Sequence, residues 1–297
     1  MTGFELVDPD NLGFSMGGWE IFQHAPFLEI YAGHYGWEVV QHHGLLLATR
    51  RMPGLGMLRA QLFSPEVAAR RDWDCLIEDL SAGQLEIMTN HPSRSSNLVP
   101  SSAADLYSMV VDLRIGVEGL FTRFEGRARK AVRRASKEGM RVRLAADQRD
   151  VSDFHVLLGR VTEGGRCYDL PPLALLHALY QSGNARLYLA FYRNRMVGGV
   201  FVLTHRYASG LVSGFAPQEC EGLPGNLLYW EAMLGEMEVG MPFFDMGAQS
   251  LARNPGLTLA KRSYSPVLVP AFRYELTPSL CRHKLLEVWK GLTRLAR

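Results

Sequence analysis

Residues 186–215, RLYLAFYRNRMVGGVFVLTHRYASGLVSGF, contain the pattern that decides the fold. Three apolar runs in this stretch are separated by short polar turns, and the runs are Arg186–Tyr192, Val197–Leu203 and Tyr207–Phe215. Short runs rich in β-branched and aromatic residues, bounded by turn residues, are typical of strands. The stretch is therefore predicted to form an antiparallel meander.

The segments on either side extend this meander into a longer alternation of elements. Upstream lie a predicted strand and two predicted helices, at Met140–Leu144, 148–163 and 172–182. Downstream lie a predicted helix, strand, helical turn and strand, at Leu227–Val239, Phe243–Met246, Leu257–Arg262 and Val267–Tyr274. A C-terminal helix is predicted from Pro278. Residues 140–274 thus have the order β-α-α-β-β-β-α-β-α-β, which resembles that of the GNAT acyltransferase fold.

The first half of the chain is predicted to repeat this unit in a degenerate form. Its predicted strands and helix are Leu45–Thr49, Met57–Phe63, Pro65–Leu80 (the helix), Leu85–Thr89 and Tyr107–Leu113. We therefore predict an α/β (α+β) protein with tandem GNAT-like acyltransferase domains and mixed central sheets. The predicted parts are a degenerate N-terminal half, a basic connector helix and a C-terminal acyltransferase half, at 1–115, 116–139 and 140–297.

The composition of the 297-residue chain argues against several classes of protein. Lys plus Arg number 32 and Asp plus Glu number 30, so the formal charge is only +2, unlike a surface built throughout to coat nucleic acid. Four cysteines without a CxxC pair predict reduced thiols, and nine histidines without HxxxH or HExxH spacing predict no bound metal. The motifs of P-loop kinases, Rossmann dehydrogenases and α/β-hydrolases are also missing from the sequence.

Two further features bear on localisation. The first ten residues, MTGFELVDPD, are acidic, and no apolar run of 18 residues follows, so the sequence predicts a cytoplasmic protein without integral membrane insertion. Residues 282–297 hold five basic side chains and one acidic side chain beside an apolar stripe. This C-terminal pattern predicts either packing on its own domain or contact with an anionic membrane surface.

Positive charge is concentrated in residues 123–143, which hold nine basic and two acidic side chains. Helical periodicity places apolar residues on one face of this segment and basic residues on the other. Arg129, Lys130 and Arg133, opposite the apolar stripe, are predicted to bind the phosphates of a nucleotide-linked substrate or of tRNA. The alternative is a solvated face that pairs with acidic patches of the first half.

Five short motifs follow one another along the second half. They are Phe124–Val142 (FEGRARKAVRRASKEGMRV), Ala185–Leu203, Leu227–Met233 (LLYWEAM), Phe244–Gly247 (FDMG) and Leu259–Tyr264 (LAKRSY). In this order they resemble the Fem family of peptidoglycan aminoacyl transferases and the related FemAB-like acetyltransferases. The resemblance implies a tandem GNAT fold and N-acyltransferase activity.

The resemblance also implies catalytic roles for two residues. It places Lys261 beside the acyl carbonyl, where an ammonium can stabilise the oxyanion of acyl transfer. Asp245, at the end of an apolar strand, is expected to orient the attacking amine or to act as a general base. The alternatives are a solvated lysine in a surface turn and an aspartate that accepts backbone N–H groups in a turn.

Two loops are predicted to contact substrates. The loop before the Leu227–Val239 helix is expected to bind the anionic part of a donor through Gly222, Gly225 and Asn226, since a helix N-terminus presents free N–H groups. Tyr168 and Asp169 occupy a position that in GNAT folds usually lines the acceptor site; the alternative is a loop that only connects two helices.

The predicted reaction moves an acyl or aminoacyl group to an amine acceptor. The resemblance leaves acyl-CoA, such as acetyl-CoA, and aminoacyl-tRNA open as donors, with a small-molecule or nucleotide-linked amine, such as a cell-wall precursor, as acceptor. Ala260, where the family often has an aromatic residue, favours a second hypothesis. This is a non-catalytic GNAT-fold module that binds a nucleotide-linked sugar, a lipid or RNA.

Overall fold

The structure is a computed structural model of the chain. It describes residues 23–42, 44–52, 57–63, 76, 78–80, 82–89, 106–163, 170–220, 224–251 and 255–276. No helix in these ranges is both long enough and apolar enough to cross a bilayer.

The described elements of the first half of the chain are α1 (Ala25–His34), β1 (Glu38–His42), β2 (Leu45–Arg51), β3 (Leu58–Phe63), β4 (Ala82–Thr89) and β5 (Leu106–Asp112). Helices and strands then alternate as α2 (Gly116–Arg123), α3 (Gly126–Lys137), β6 (Arg141–Leu144), α4 (Gln148–Glu163), α5 (Leu173–Gln181), β7 (Ala185–Tyr192), β8 (Arg195–Thr204) and β9 (Ala208–Phe215). The last elements are a 3₁₀ turn (Pro217–Glu219), α6 (Pro224–Glu238), β10 (Phe243–Ser250), α7 (Pro255–Arg262), β11 (Val267–Pro270) and β12 (Phe272–Leu276).

The chain forms two compact units. Among the described residues, unit 1 contains those from 107 to 269, and unit 2 contains those from 23 to 106 and from 270 to 276. These units differ from the predicted parts 1–115, 116–139 and 140–297. The basic segment lies inside unit 1 because its apolar face packs in the core of that unit. Strand β12, which was predicted in the C-terminal half, belongs to unit 2 because it pairs with β4.

Unit 1 is built on a seven-stranded mixed sheet in the order β11-β5-β10-β9-β8-β7-β6. Strands β6 to β9 pair with one another in antiparallel orientation, whereas β10 pairs in parallel with β9. The predicted meander is therefore confirmed, and a helix follows it as expected. Gly199 and Gly214 let α4 approach this sheet, because a Cβ at either position would come within 2.6 Å of Phe154 or Leu158.

Unit 2 is built on a five-stranded mixed sheet in the order β1-β2-β3-β4-β12. Only the β3 to β4 pairing is parallel; the other neighbours are antiparallel. One face of the sheet carries an apolar core that includes Leu47, Leu62, Leu85 and Ile87. The opposite face places buried Glu86 between Arg59 and Arg273, at 2.7 Å from a nitrogen of each. The predicted fold class, with two mixed sheets, is confirmed.

Two predicted elements are divided in the structure. The connector helix is two helices, because Phe124 and Glu125 take extended ψ values of 142° and 149° between α2 and α3. Phe124 is buried there, and the Glu125 N–H bonds the Ser263 carbonyl at 2.9 Å. The predicted strand Val267–Tyr274 is divided into β11 and β12 at Ala271.

The remaining differences concern the first residue of one helix and elements that were not predicted. The helix predicted from Leu227 begins at Pro224, since proline is well suited to a first helical turn. Helix α1 and strand β1 were not predicted. Most of the predicted helix Pro65–Leu80, and the helix from Pro278, lie outside the described residues.

Candidate functional site

A pocket of about 410 Å³ lies in unit 1, where α3, α6, α7 and the end of β9 meet. Its lining is mostly apolar and includes Ala128, Ala131, Phe215, Pro217, Leu257, Leu259 and Ala260. Lys261 is a basic side chain within this lining, so we call the cavity the lysine pocket. Its size falls within the range of small-molecule sites.

Lys261 is held in the last turn of α7 with only 8% of its surface exposed. Its Nζ donates a hydrogen bond of 2.6 Å to the carbonyl of Met246 on β10. Burial lowers the pKa of Lys261 to about 8, and the charge of Asp245 opposes that decrease. The predicted lysine is thus a buried cation close to its titration point, and the alternative of a solvated lysine in a surface turn is wrong.

Asp245 lies in β10 and is 1% exposed. Its Oδ1 accepts a hydrogen bond of 2.8 Å from the N–H of Gly247, which adopts a φ of +87° that favours glycine. The carboxylate therefore fixes the turn in β10 that places the Met246 carbonyl toward Lys261. A catalytic role for Asp245 stays a prediction, and its positioning role follows from these contacts.

Two buried tyrosines complete the wall of the lysine pocket. Tyr229 of α6 shares a 3.1 Å hydrogen bond with Ser213 of β9, and burial raises the pKa of its phenol. Tyr264 donates to the Gly225 carbonyl at 3.4 Å, and burial raises its pKa as well. Sequence reasoning missed both residues, although Tyr229 lies in the LLYWEAM motif and Tyr264 ends the LAKRSY motif.

The N-terminus of α6 opens on the pocket. Pro224, Gly225 and Asn226 form its first turn and line the cavity. First-turn N–H groups have no partner within a helix and favour an anion. The structure thus places Gly225 and Asn226 in the pocket wall, within a helix rather than the predicted loop, while Gly222 lies outside the described residues.

Arg127 also lines the pocket and was missed by sequence reasoning. Its guanidinium donates to the Leu259 carbonyl at 2.5 Å and pairs with Glu125 at 2.8 Å. The same carboxylate lies 3.2 Å from the Nε of Arg262. Glu125, in the break between α2 and α3, therefore joins the α3 and α7 walls of the cavity.

The three predicted phosphate-binding residues of α3 lie elsewhere than in the lining. Arg129 donates to the carbonyls of Thr122 and Phe124, at 2.8 Å for Thr122, and so bonds the end of α2. The guanidinium of Arg133 lies 5.2 Å from the ring centre of Phe121. Lys130 is exposed to solvent. Phosphate binding by these residues stays a prediction, and Tyr168 and Asp169 lie outside the described residues.

Within the described ranges, no group of three or more His, Cys, Asp and Glu side chains is arranged to hold a metal ion. The chemistry open to the lysine pocket is that of a buried cation, a helix N-terminus and an apolar wall. Such a site can stabilise a developing oxyanion and hold an anionic group near it.

Comparison with known families and structures bears on the fold. The family model of the acetyltransferase (GNAT) domain matches residues 122–252, which include β6 to β10, α3 to α6 and the Lys261-bonded Met246. No curated protein matches the sequence.

Several solved structures have a similar fold at low sequence identity. FemX is 14% identical, with 90% of this chain and 94% of FemX covered and a TM-score of 0.67. The C-terminal domain (DUF2156) of a putative lysylphosphatidylglycerol synthetase from Agrobacterium fabrum is 13% identical. The match covers 89% of this chain and 90% of that domain, with a TM-score of 0.58. L-PGS from Bacillus licheniformis is 13% identical, with 95% of this chain and 96% of L-PGS covered and a TM-score of 0.53. Residues 122–252 therefore match a GNAT domain, and the chain has a fold similar to that of FemX.

Proposed function

We propose that the chain is an N-acyltransferase that holds the acyl end of its donor in the lysine pocket. The observation that carries this proposal is the burial of Lys261 in the same cavity that the N-terminus of α6 enters. A buried ammonium stabilises a developing negative charge far better than a solvated one. The first turn of α6 supplies N–H groups for the anionic part of the donor.

In the proposed reaction, the acceptor amine attacks the acyl carbonyl carbon and a nitrogen–carbon bond forms. The carbonyl oxygen gains negative charge, which the Lys261 ammonium stabilises. The intermediate then collapses, the bond from carbon to the leaving sulfur or oxygen breaks, and the proton lost by the amine ends on the leaving group or in water. No covalent enzyme intermediate is required, because holding both substrates together supplies much of the rate.

Asp245 supports this mechanism through its charge. Its carboxylate counteracts the effect of burial on Lys261 and so keeps a larger fraction of the lysine protonated near neutral pH. Its direct use as a general base remains part of the proposal. In that role, the carboxylate would accept the proton of the amine.

Two donors remain in the proposal: an acyl-CoA, such as acetyl-CoA, and an aminoacyl-tRNA. Both carry an activated acyl carbonyl and, in another part of the molecule, phosphates that a helix N-terminus can bind. On α3, Arg127 lines the cavity and Lys130 follows three residues later, so these cations are our candidates for contacts with donor phosphates. The proposed acceptor is an amine on a small molecule or a nucleotide-linked cell-wall precursor, in the cytoplasm.

A transfer assay tests the proposal. The chain is incubated with acetyl-CoA, or with charged tRNA, and a panel of amines, and product formation is compared between wild type and Lys261→Met. We expect a loss of about 10²- to 10³-fold in turnover, the typical cost of one oxyanion donor. The matched control is Arg149→Gln, an exposed cation of α4 outside the pocket, which should retain wild-type turnover.

The outcomes separate the proposal from its rival. If a donor raises the melting temperature but no amine is acylated, the chain is a binding module instead. If Lys261→Met retains full turnover and a wild-type melting temperature, the lysine pocket is not the catalytic site.

A further inference from the structure

A second cavity lies where α2, α3 and α6 meet in unit 1, and we call it the three-helix groove. It has a volume of about 720 Å³ and shares no lining residue with the lysine pocket. Its apolar lining residues are Val117, Phe121, Val132, Leu227 and Trp230. The groove is independent of the proposed acyl transfer.

Aromatic contacts fix the floor of the groove. The rings of Phe121 and Trp230 lie 4.8 Å apart, and Trp230 packs edge-on against buried Phe124 at 5.5 Å. Trp230 is half-buried, and no acceptor for its indole N–H is found in the part of the chain that the structure describes. The groove therefore offers a fixed aromatic surface.

Charges of both signs line the groove and come from different helices. Arg133 and Lys137 belong to α3, whereas Glu118 belongs to α2 and Glu231 to α6. Among the described residues, no ion pair within 4.0 Å joins either cation to either carboxylate, although all four side chains line one cavity. The groove thus presents two cations and two carboxylates that do not pair with one another.

The environment of Glu231 agrees with a bound cation. Burial and the nearby charge of Glu238 raise the pKa of Glu231. An ammonium beside this carboxylate would offset both effects, since an opposite charge favours the ionised form.

We propose that the three-helix groove binds a zwitterion with an apolar side chain, either a free amino acid or a short peptide. Its carboxylate lies against Arg133 and Lys137, its ammonium lies between Glu118 and Glu231, and its apolar part covers Phe121 and Trp230. A phosphate-rich strand fits less well, because the two glutamates repel it. A purely apolar ligand would make no use of these four charges.

The test uses isothermal titration of the full chain with defined probes. These are phenylalanine, leucyl-phenylalanine, the N-acetylated dipeptide and the C-amidated dipeptide. We expect the free dipeptide or phenylalanine to bind, and each capped dipeptide to bind at least tenfold more weakly than the free one. The ratio of phenylalanine to dipeptide affinity distinguishes an amino acid site from a peptide site.

Variants then assign each end of the ligand. Glu231→Gln should weaken binding of the free dipeptide about tenfold but leave the affinity of the N-acetylated dipeptide unchanged. Arg133→Gln should weaken binding of the free dipeptide about tenfold but leave the affinity of the C-amidated dipeptide unchanged. The matched controls, Asp153→Asn and Arg149→Gln, remove exposed charges of α4 outside the groove and should bind like wild type. Melting temperatures report folding of every variant.

Three results would overturn the proposal. One is the absence of binding by any zwitterion at millimolar concentration to the folded chain. Another is equal affinity for the free and capped dipeptides. The third is a loss in the α4 controls as large as the loss in the groove variants.

Discussion

Lys261 and Lys130 carry the same side chain in opposite surroundings. Lys261 is buried in the lysine pocket, bonds one carbonyl and has a pKa lowered to about 8. Lys130 lies exposed on the solvent side of α3. A lysine in water is screened and interacts weakly, whereas a buried lysine interacts strongly with any charge that forms beside it. The local density of basic residues is therefore a poor guide to where a cation acts most strongly.

The largest effect expected from this difference is on the pH dependence of transfer. If protonated Lys261 stabilises the oxyanion, turnover should fall about tenfold per pH unit above pH 8, because the deprotonated amine carries no charge. The measurement is a pH–rate profile under saturating substrates. Residual turnover of Lys261→Met should lack this decrease, and the same decrease in that variant would assign it to another group.

The second effect is on stability at alkaline pH. The pKa of Lys261 is lowered to about 8 from 10.5, so between these values the unfolded chain binds more protons than the folded one. Its contribution to stability therefore rises with pH across this window, by at most about 3 kcal/mol. Urea unfolding at pH 7, 8, 9 and 10 should show wild type gaining stability relative to Lys261→Met. A difference in unfolding free energy that stays constant with pH would contradict a buried Lys261 with a lowered pKa.

An intermediate effect is expected from Arg129, which the sequence groups with Lys130. Because Arg129 bonds the Thr122 and Phe124 carbonyls, Arg129→Gln should destabilise unit 1 by about 1 kcal/mol. Thermal unfolding measures this change, and Lys130→Gln is the matched control, expected within about 0.5 kcal/mol of wild type. Equal melting temperatures for the two variants would show that the Arg129 contacts contribute nothing.

These contrasts show which parts of the fold could be predicted from sequence. The meander and α4 could be predicted, since the strands of residues 186–215 have turn residues at their ends and α4 has a regular apolar face. The break between α2 and α3 could not, because the helical period continues through Phe124 and Glu125. Their extended backbone depends on a contact with Ser263, 138 residues away from Glu125.

Residues of the site could be predicted only where they belong to a sequence motif. Lys261 was identified from the LAKRSY segment. Its burial could not be predicted, because it depends on contacts with β10 and α6, which are distant from this segment in the sequence. Arg127 and Arg129 are the same residue type, two positions apart near the start of α3. They differ because Leu259 lies near one and the end of α2 lies near the other. Tertiary contacts, rather than residue type, thus separate a pocket residue from a residue that bonds a helix end.

The smallest effect concerns phosphate binding by the exposed part of α3. We expect Lys130→Gln to weaken binding of the phosphate-bearing donor only a few-fold at low ionic strength, because solvent screens an exposed charge. The loss should shrink further at 0.5 M salt, as it would for any contact that releases counterions. Donor titrations at two salt concentrations, with Arg149→Gln as the control, measure both values. An affinity equal to wild type at low salt would leave Arg127 and the α6 N-terminus as the donor's anion site, and a loss that persists at high salt would place Lys130 in a desolvated contact.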